Sequence, residues 1–153
     1  MPPSAAKVGL DTNVLVYAVD ADAGEKHETA RRLIESLYTS GSVIPLQALG
    51  EFYASVSRKR IASLETANEA VRLWITTFEV VPGILDDLHD GAAAIGRYAL
   101  SFWDAHLCAT VRRAGCTVLL TEDMQDGAEI GGVRIMNPFR GRGLPRKIRE
   151  LLS

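Results

Sequence analysis

Short apolar runs alternate along this chain with longer stretches in which apolar residues return every three or four positions. Lys7 to Leu10 reads as a strand ending at Asp11. From Glu25 to Tyr38, Ala30, Leu33, Ile34 and Leu37 recur at helical spacing, with Gly41 as a stop. Ser42 to Leu46 reads as a short second strand. Leu49, Phe52, Tyr53 and Val56 form the apolar stripe of a further helix, closed by Arg58-Lys59-Arg60, where cations suit the helix dipole. That stripe puts Glu51 on the helix flank, about one turn from its start.

Ser63 can cap a helix carrying Ala67, Val71 and Trp74 on one face, and Phe78 to Val81 is a strand ended by Pro82-Gly83. A helix is expected from about Leu85 to Tyr98. Asp104 opens the next, which bears Leu107, Cys108 and Val111 and stops at Gly115. Thr117 to Thr121 and Val133 to Met136 are β-branched runs, the second ended by Asn137-Pro138. Strands alternating with helices predict a parallel sheet covered on both faces. There is no internal repeat and no dividing linker, so a single domain is expected over 1-153, with a core at 7-137 and a basic tail at 138-153.

At 153 residues, 47% of them hydrophobic, the chain can bury one substantial core and is too short for two full domains. A net charge of −2 and a pI near 5.9 give no global basic footprint for nucleic acid, so any such surface must be local. No run approaches the roughly 18 apolar residues of a membrane span, and no apolar leader opens the chain. A cytoplasmic protein without a membrane partner is expected. Cys108 and Cys116 fit neither a zinc knuckle nor a redox pair and read as buried, reduced thiols.

The chemistry lies in four well-separated acids. In open parallel sheets, sites form beyond the carboxyl ends of the strands. Asp11 sits at the end of the first strand and Asp123 two residues past Thr117 to Thr121. Glu51 and Asp104 lie in the opening turns of helices that start on the same edge. Oxygen-only ligands match a hard divalent cation, whereas zinc would want His or Cys. Two such charges about 4 Å apart repel by roughly 4 kcal/mol at an effective dielectric of about 20, so protons or a cation must compensate them.

Structural roles compete for several residues. Asp86, Asp87 and Asp90 suit a helix's first turn, and Asp126 before Gly127 suits a tight turn. His106, two residues after Asp104, points about 200° away on a helix and reads as non-catalytic. His27 and His89 read as surface residues. Asn13 and Thr121 can bond locally to turn backbone.

Taken together, Asp11-Thr12-Asn13, Pro45 to Tyr53 (PLQALGEFY), Ser101 to Ala105 (SFWDA) and Thr121-Glu122-Asp123 resemble the PIN domains, and among them the VapC-type toxins of bacterial toxin–antitoxin systems. The resemblance spans about Lys7 to Asn137. It implies a three-layer α/β/α sandwich around a parallel sheet of about five strands. It also implies a Mg²⁺- or Mn²⁺-dependent endoribonuclease in which Asp11, Glu51, Asp104 and Asp123 are catalytic and hold the metal. Asn13 and Thr121 are implied to order the site, and Asp126 is a possible additional acid. A homodimer and a cognate antitoxin are the implied partners besides RNA, and the apolar face around Leu64, Val71 and Trp74 is a candidate dimer surface.

Metal-assisted attack of water on phosphorus leaves a 3′-hydroxyl and a 5′-phosphate and requires no histidine pair. In the tail outside the match, Arg140, Arg142, Arg146, Lys147 and Arg149 face only Glu150. They are candidates for RNA phosphate contact, with a solvated tail as the alternative. The rival functions are a catalytically silent RNA-binding module of the same fold and a housekeeping RNA-processing nuclease. A phospho-receiver would need an acidic pair after the first strand, which Leu10-Asp11-Thr12 lacks. A flap nuclease would be longer.

Overall fold

The computed structural model describes residues 6–153. Its elements are β1 (Val8–Leu10), α1 (Thr12–Val19), α2 (Glu25–Ser36), β2 (Val43–Pro45), α3 (Leu46–Lys59), α4 (Leu64–Thr77), β3 (Glu79–Val81), α5 (Leu85–Tyr98), α6 (Phe102–Arg113), β4 (Val118–Leu120), β5 (Glu129–Ile130), β6 (Val133–Met136) and α7 (Arg146–Leu152). The six strands form one sheet in the order β3-β2-β1-β4-β6-β5. All neighbours run parallel except β5, which pairs antiparallel with β6.

Side chains alternate across the strands and feed two cores. Val8 and Leu10 of β1, Ile44 of β2, and Val118 and Leu120 of β4 point to one face, where they meet α1, α2, α3, α4 and α7. Val43, Leu119, Val133 and Ile135 point to the other, against Leu107, Cys108 and Val111 of α6. Gly9 lies between Val8 and Leu10 because α6 crosses here. A Cβ at Gly9 would stand 2.7 Å from Val111 Cγ1. The missing side chain lets α6, and with it Asp104, settle close over β1.

Three elements differ from the sequence expectation. Helix α1 was not expected because Val14, Leu15, Val16 and Tyr17 are apolar on every side and leave no helical period to read. It is fixed by tertiary packing, with Val14 and Leu15 fully buried. The sheet has a sixth, antiparallel strand, β5, returned by Gly131-Gly132, both at positive φ. The basic tail is not simply solvated: it ends in α7, which seats Ile148 in the first core at 1% exposure.

Trp74 is also buried, packed edge-on to Phe52 at 5.1 Å, so the α4 face expected to dimerise contributes its largest side chain to the core. Cys108 and Cys116 are free and buried, and burial pushes the Cys108 thiol up to about 12. Among the described residues, no helix is long and apolar enough to cross a membrane.

Candidate active site

The strand order reverses between β1 and β4, and a crevice opens beyond their carboxyl ends. Asp11 stands at this point, its backbone N–H still donating to Leu120 O at 3.1 Å before the chain turns into α1. It is 4% exposed and caps α1, with Oδ1 accepting from Thr12 N–H at 2.7 Å. Oδ2 accepts from the Thr121 hydroxyl at 2.8 Å.

Thr121 is the hub on the β4 side. Its Oγ1 also accepts from Asn13 Nδ2 and from Asp123 N–H, each at 3.1 Å. Asn13 Nδ2 reaches Asp123 Oδ2 at 3.1 Å, and Asn13 Oδ1 accepts from Glu122 N–H at 3.3 Å. Asn13 and Thr121 therefore lock the β1–α1 and β4 turns together and aim Asp123 at the crevice. On the other side, the Thr12 hydroxyl donates to Glu51 Oε2 at 3.0 Å, and Gln47 Nε2 donates to Glu51 Oε1 at 3.0 Å. Asp104 enters from α6, where Ser101 caps the first turn by accepting from Asp104 N–H at 3.2 Å.

The electrostatics tie the four acids together. Burial pushes Asp11 up to about 6, against the lowering effect of the Thr121 and Thr12 hydrogen bonds, and the charges of Asp123 and Glu51 push the same way. Asp104 is also raised, first by burial and then by Asp123 and Glu51, with Ser101 opposing. The carboxylates of Asp11, Glu51 and Asp123 are held by neutral donors, and among the described residues no three His, Cys, Asp or Glu side chains close into a cage. The donor chemistry nonetheless fits Mg²⁺ or Mn²⁺. Such ions keep several waters and take only one or two carboxylates directly, and a carboxylate raised mainly by burial is relieved by a cation.

A cleft of about 390 Å³ runs from Asp123, Glu51 and Thr12 along α1 and α3 to Ser55 and Lys59. Glu51, Ser55 and Lys59 share one face of α3 at successive i, i+4 positions. Tyr17 and Glu122 line the same cleft and bond to each other. Lys26 closes that network, 3.0 Å from Glu122 Oε2 and 3.2 Å from the Tyr17 hydroxyl. Sequence reasoning assigned no role to Thr12, Tyr17 or Lys26, because each acts through a partner remote in sequence, nor to Gln47, whose i, i+4 bond to Glu51 looks like an ordinary helix-surface pair.

Two groups of expected residues lie apart from the acids. Asp126 accepts from Asn137 N–H at 2.8 Å and from Arg140 at 3.2 Å, so it clasps the turn before β5 to the segment after β6. It lines a separate hollow with Arg140, Arg146 and Lys147. Arg140 is held by Asp126 and Arg146 by Glu150 at 2.8 Å, whereas Arg142 and Lys147 make no ion pair among the described residues. His27 is not a bare surface residue: its Nδ1 lies 2.8 Å from Tyr17 O. Asp87 is more than a helix-turn acid. It is almost fully buried and pairs with Arg113 at 2.9 Å.

Carboxylates beside the switch point of a parallel sheet mark this edge as the candidate site, and the sequence match supplies the family. The family model of the PIN domain matches residues 8–125, and the chain belongs to that family. Solved structures of the same fold include Mycobacterium tuberculosis VapC20, a sarcin–ricin loop cleaving toxin. It is 22% identical with a TM-score of 0.62, covering 84% of this chain and 99% of that one. A toxin–antitoxin complex from Klebsiella pneumoniae is 22% identical with a TM-score of 0.63, covering 87% and 98%. A DNA-bound VapBC from Salmonella typhimurium is 21% identical with a TM-score of 0.60, covering 86% and 98%. Among curated proteins, none matches this sequence.

Proposed function

We propose that this protein is a divalent-metal-dependent endoribonuclease, acting in the cytoplasm as the toxin of a toxin–antitoxin pair. What supports the reading is the hydrogen-bond network that ties Asp11, Glu51 and Asp123 through Thr12, Thr121 and Asn13, with Asp104 near enough to feel the charges of Asp123 and Glu51. In this reading Asp11 and Asp104, with Glu51 and Asp123, hold Mg²⁺ or Mn²⁺. Bound there, the ion supplies positive charge against the phosphate and acidifies a water.

The chain's own residues orient the acids and the substrate. Thr121 and Asn13 fix Asp11 and Asp123, and Thr12 fixes Glu51. Lys59 lies at the far end of the cleft, where a neighbouring RNA phosphate meets a cation. Arg142 and Lys147 of the tail, which lies apart from the acids, are further candidates for phosphate contact along a longer RNA. The antitoxin follows by analogy with the Klebsiella and Salmonella complexes, whose folds this chain shares.

The deciding experiment incubates single-stranded RNA with the protein in Mg²⁺, Mn²⁺ or EDTA and analyses the new ends. Internal cuts carrying 5′-phosphates, lost in EDTA and in Asp104→Asn, are expected. RNA binding without cleavage under every metal condition would instead identify a silent RNA-binding module. Asp104→Asn is cleaner than Asp11→Asn, because Thr121 Oγ1 already accepts two hydrogen bonds and leaves no acceptor for an amide at position 11.

A further inference from the structure

The geometry points to Gln47 and His106 as positioning residues: a side-chain brace that ties the helix carrying Glu51 to the helix carrying Asp104 and sets the spacing of the two acids. The inference rests on the metal-nuclease reading of the site and adds two residues to it.

Glu51 and Asp104 reach the crevice from opposite faces of the sheet, Glu51 on α3 and Asp104 on α6. Among the described residues, one side-chain hydrogen bond joins these helices: His106 Nδ1 lies 3.2 Å from Gln47 Oε1. Gln47 stands one turn before Glu51 and passes the contact on, its Nε2 donating to Glu51 Oε1 at 3.0 Å. His106 stands two residues after Asp104. The brace therefore begins beside one acid and ends on the other.

The chemistry fixes the direction of both bonds. The Glu51 carboxylate only accepts when ionised, so the Gln47 amide must present its NH₂ to Glu51. Its carbonyl oxygen then faces the imidazole, and His106 must carry a hydrogen on Nδ1. An amide turned the other way would set oxygen against oxygen at Glu51. Both residues are half-buried and the bond between them is partly shielded from competing water, whereas the bond from Gln47 to Glu51 is exposed.

The fold makes room for the ring and then confines it. A Cβ at Gly83 would stand 2.6 Å from His106 Cε1, and one at Gly91 would stand 3.1 Å from the His106 backbone N and Cα. Two glycines thus admit the imidazole and bring α5 onto α6. Phe102 and Trp103 flank it, with ring centroids 5.7 and 5.9 Å away. A half-turn of the helix does point His106 away from Asp104, and what it meets there is the residue that holds Glu51.

The test compares Gln47→Met, His106→Phe, the double variant and His106→Asn, whose amide nitrogen is as many bonds from Cα as Nδ1. The readouts are the Mg²⁺ and Mn²⁺ midpoints for thermal stabilisation, kcat and KM for RNA cleavage, and the metal-free melting temperature. Gln47→Met and His106→Phe should each raise the metal midpoint by about tenfold, the lower range for loss of a ligand-orienting contact. They should lower kcat while KM moves by less than about twofold. His106→Asn should recover most of the loss.

Without metal, the double variant should melt no lower than the worse single variant, because one brace is broken in each. Wild-type metal midpoints and kcat in both single variants would overturn the inference. So would additive melting shifts, or His106→Asn failing like His106→Phe. If the wild type neither cleaves RNA nor responds to metal, the nuclease reading falls, and the metal-free cycle still decides the brace.

Discussion

The Thr12 hydroxyl donates to Glu51 Oε2 at 3.0 Å while the backbone N–H of the same residue donates to Asp11 Oδ1 at 2.7 Å. One residue thus spaces two acids that are 40 positions apart, and its side chain is 9% exposed. Thr12→Val keeps the shape and removes the donor. Cleavage should fall by roughly tenfold or more while stability drops by only about 1 kcal/mol, the usual net value of one hydrogen bond. Thr12→Ser should retain most activity. Equal kcat for Thr12→Val and wild type would remove Thr12 from the site.

Asp11 sets a pH dependence whose sign is fixed. Its folded value of about 6 lies above the unfolded value near 3.8, so the folded protein keeps a proton that the unfolded chain has lost. Asp11's contribution to metal-free stability is greatest below about 4 and declines as pH rises to about 6, by roughly 3 kcal/mol for a shift of this size. A bound cation must displace that proton. The melting shift produced by Mg²⁺ should therefore be larger at pH 7.5 than at pH 5.5, with differential scanning fluorimetry as the measurement. Equal shifts at both values would separate Asp11 from metal binding.

Asp87 carries the opposite sign. Burial raises it, but the Arg113 guanidinium, the Ile84 N–H and the Thr110 hydroxyl together prevail and hold it below the ordinary 3.8. This pair contributes stability that is complete above pH 4 and lost as pH falls through the lower folded value. Asp87→Asn should destabilise by about 3 kcal/mol, the low end for breaking a buried pair because Arg113 is one-third exposed. Chemical denaturation at pH 7 measures it. Since α5 packs on α6 beside Asp104, cleavage should survive at temperatures where the variant stays folded.

RNA contact at the tail should show in the salt dependence. Single-strand binding loses about 0.7 in the slope of log K against log salt for each phosphate contact removed. Lys59→Gln and Lys147→Gln should each flatten the slope by about that amount, whereas Arg72→Gln on α4 removes the same charge and should leave it unchanged. Identical slopes in all three proteins would take the RNA path away from both lysines.

A homodimer is expected through α5 rather than α4. Ile84 at the start of α5 and Leu88 and Ile95 along one side of it are 42%, 44% and 36% exposed, with Leu85 at 68% beside them; α4 also exposes Leu64 at 65%, but the centre of its face, Trp74, is buried. Sedimentation should give about twice the monomer mass, and Leu85→Asp should shift it toward the monomer. A monomer at micromolar concentration in the wild type would refute the assembly.

Asp11, Glu51, Asp104 and Asp123 stand out in the sequence as candidates because each sits at or near a boundary that local pattern marks: a strand end or an opening helix turn. The alternating order of strands and helices likewise announced the parallel sheet. What escaped it depends on partners far along the chain. Helix α1 lacks a period because both its sides are apolar, and β5 is two residues long. Gln47 is an ordinary polar residue until α6 brings His106 to it. Trp74 looks like surplus apolar surface until Phe52 covers it. Ile148 sits in a run of charged residues and is recognised as core only when α7 folds back.

The bonds that aim Asp11 span 110 residues, from β1 to Thr121, and Asp123 is held by Asn13 across the same distance. A polypeptide still emerging from a ribosome has its first acid early, with only the neighbouring Thr12 N–H to hold it. The site can assemble only once β4 has left the exit tunnel and docked beside β1. On the nuclease reading, the growing chain gains its cutting site only after β4 docks, which leaves an inhibitor time to bind during synthesis.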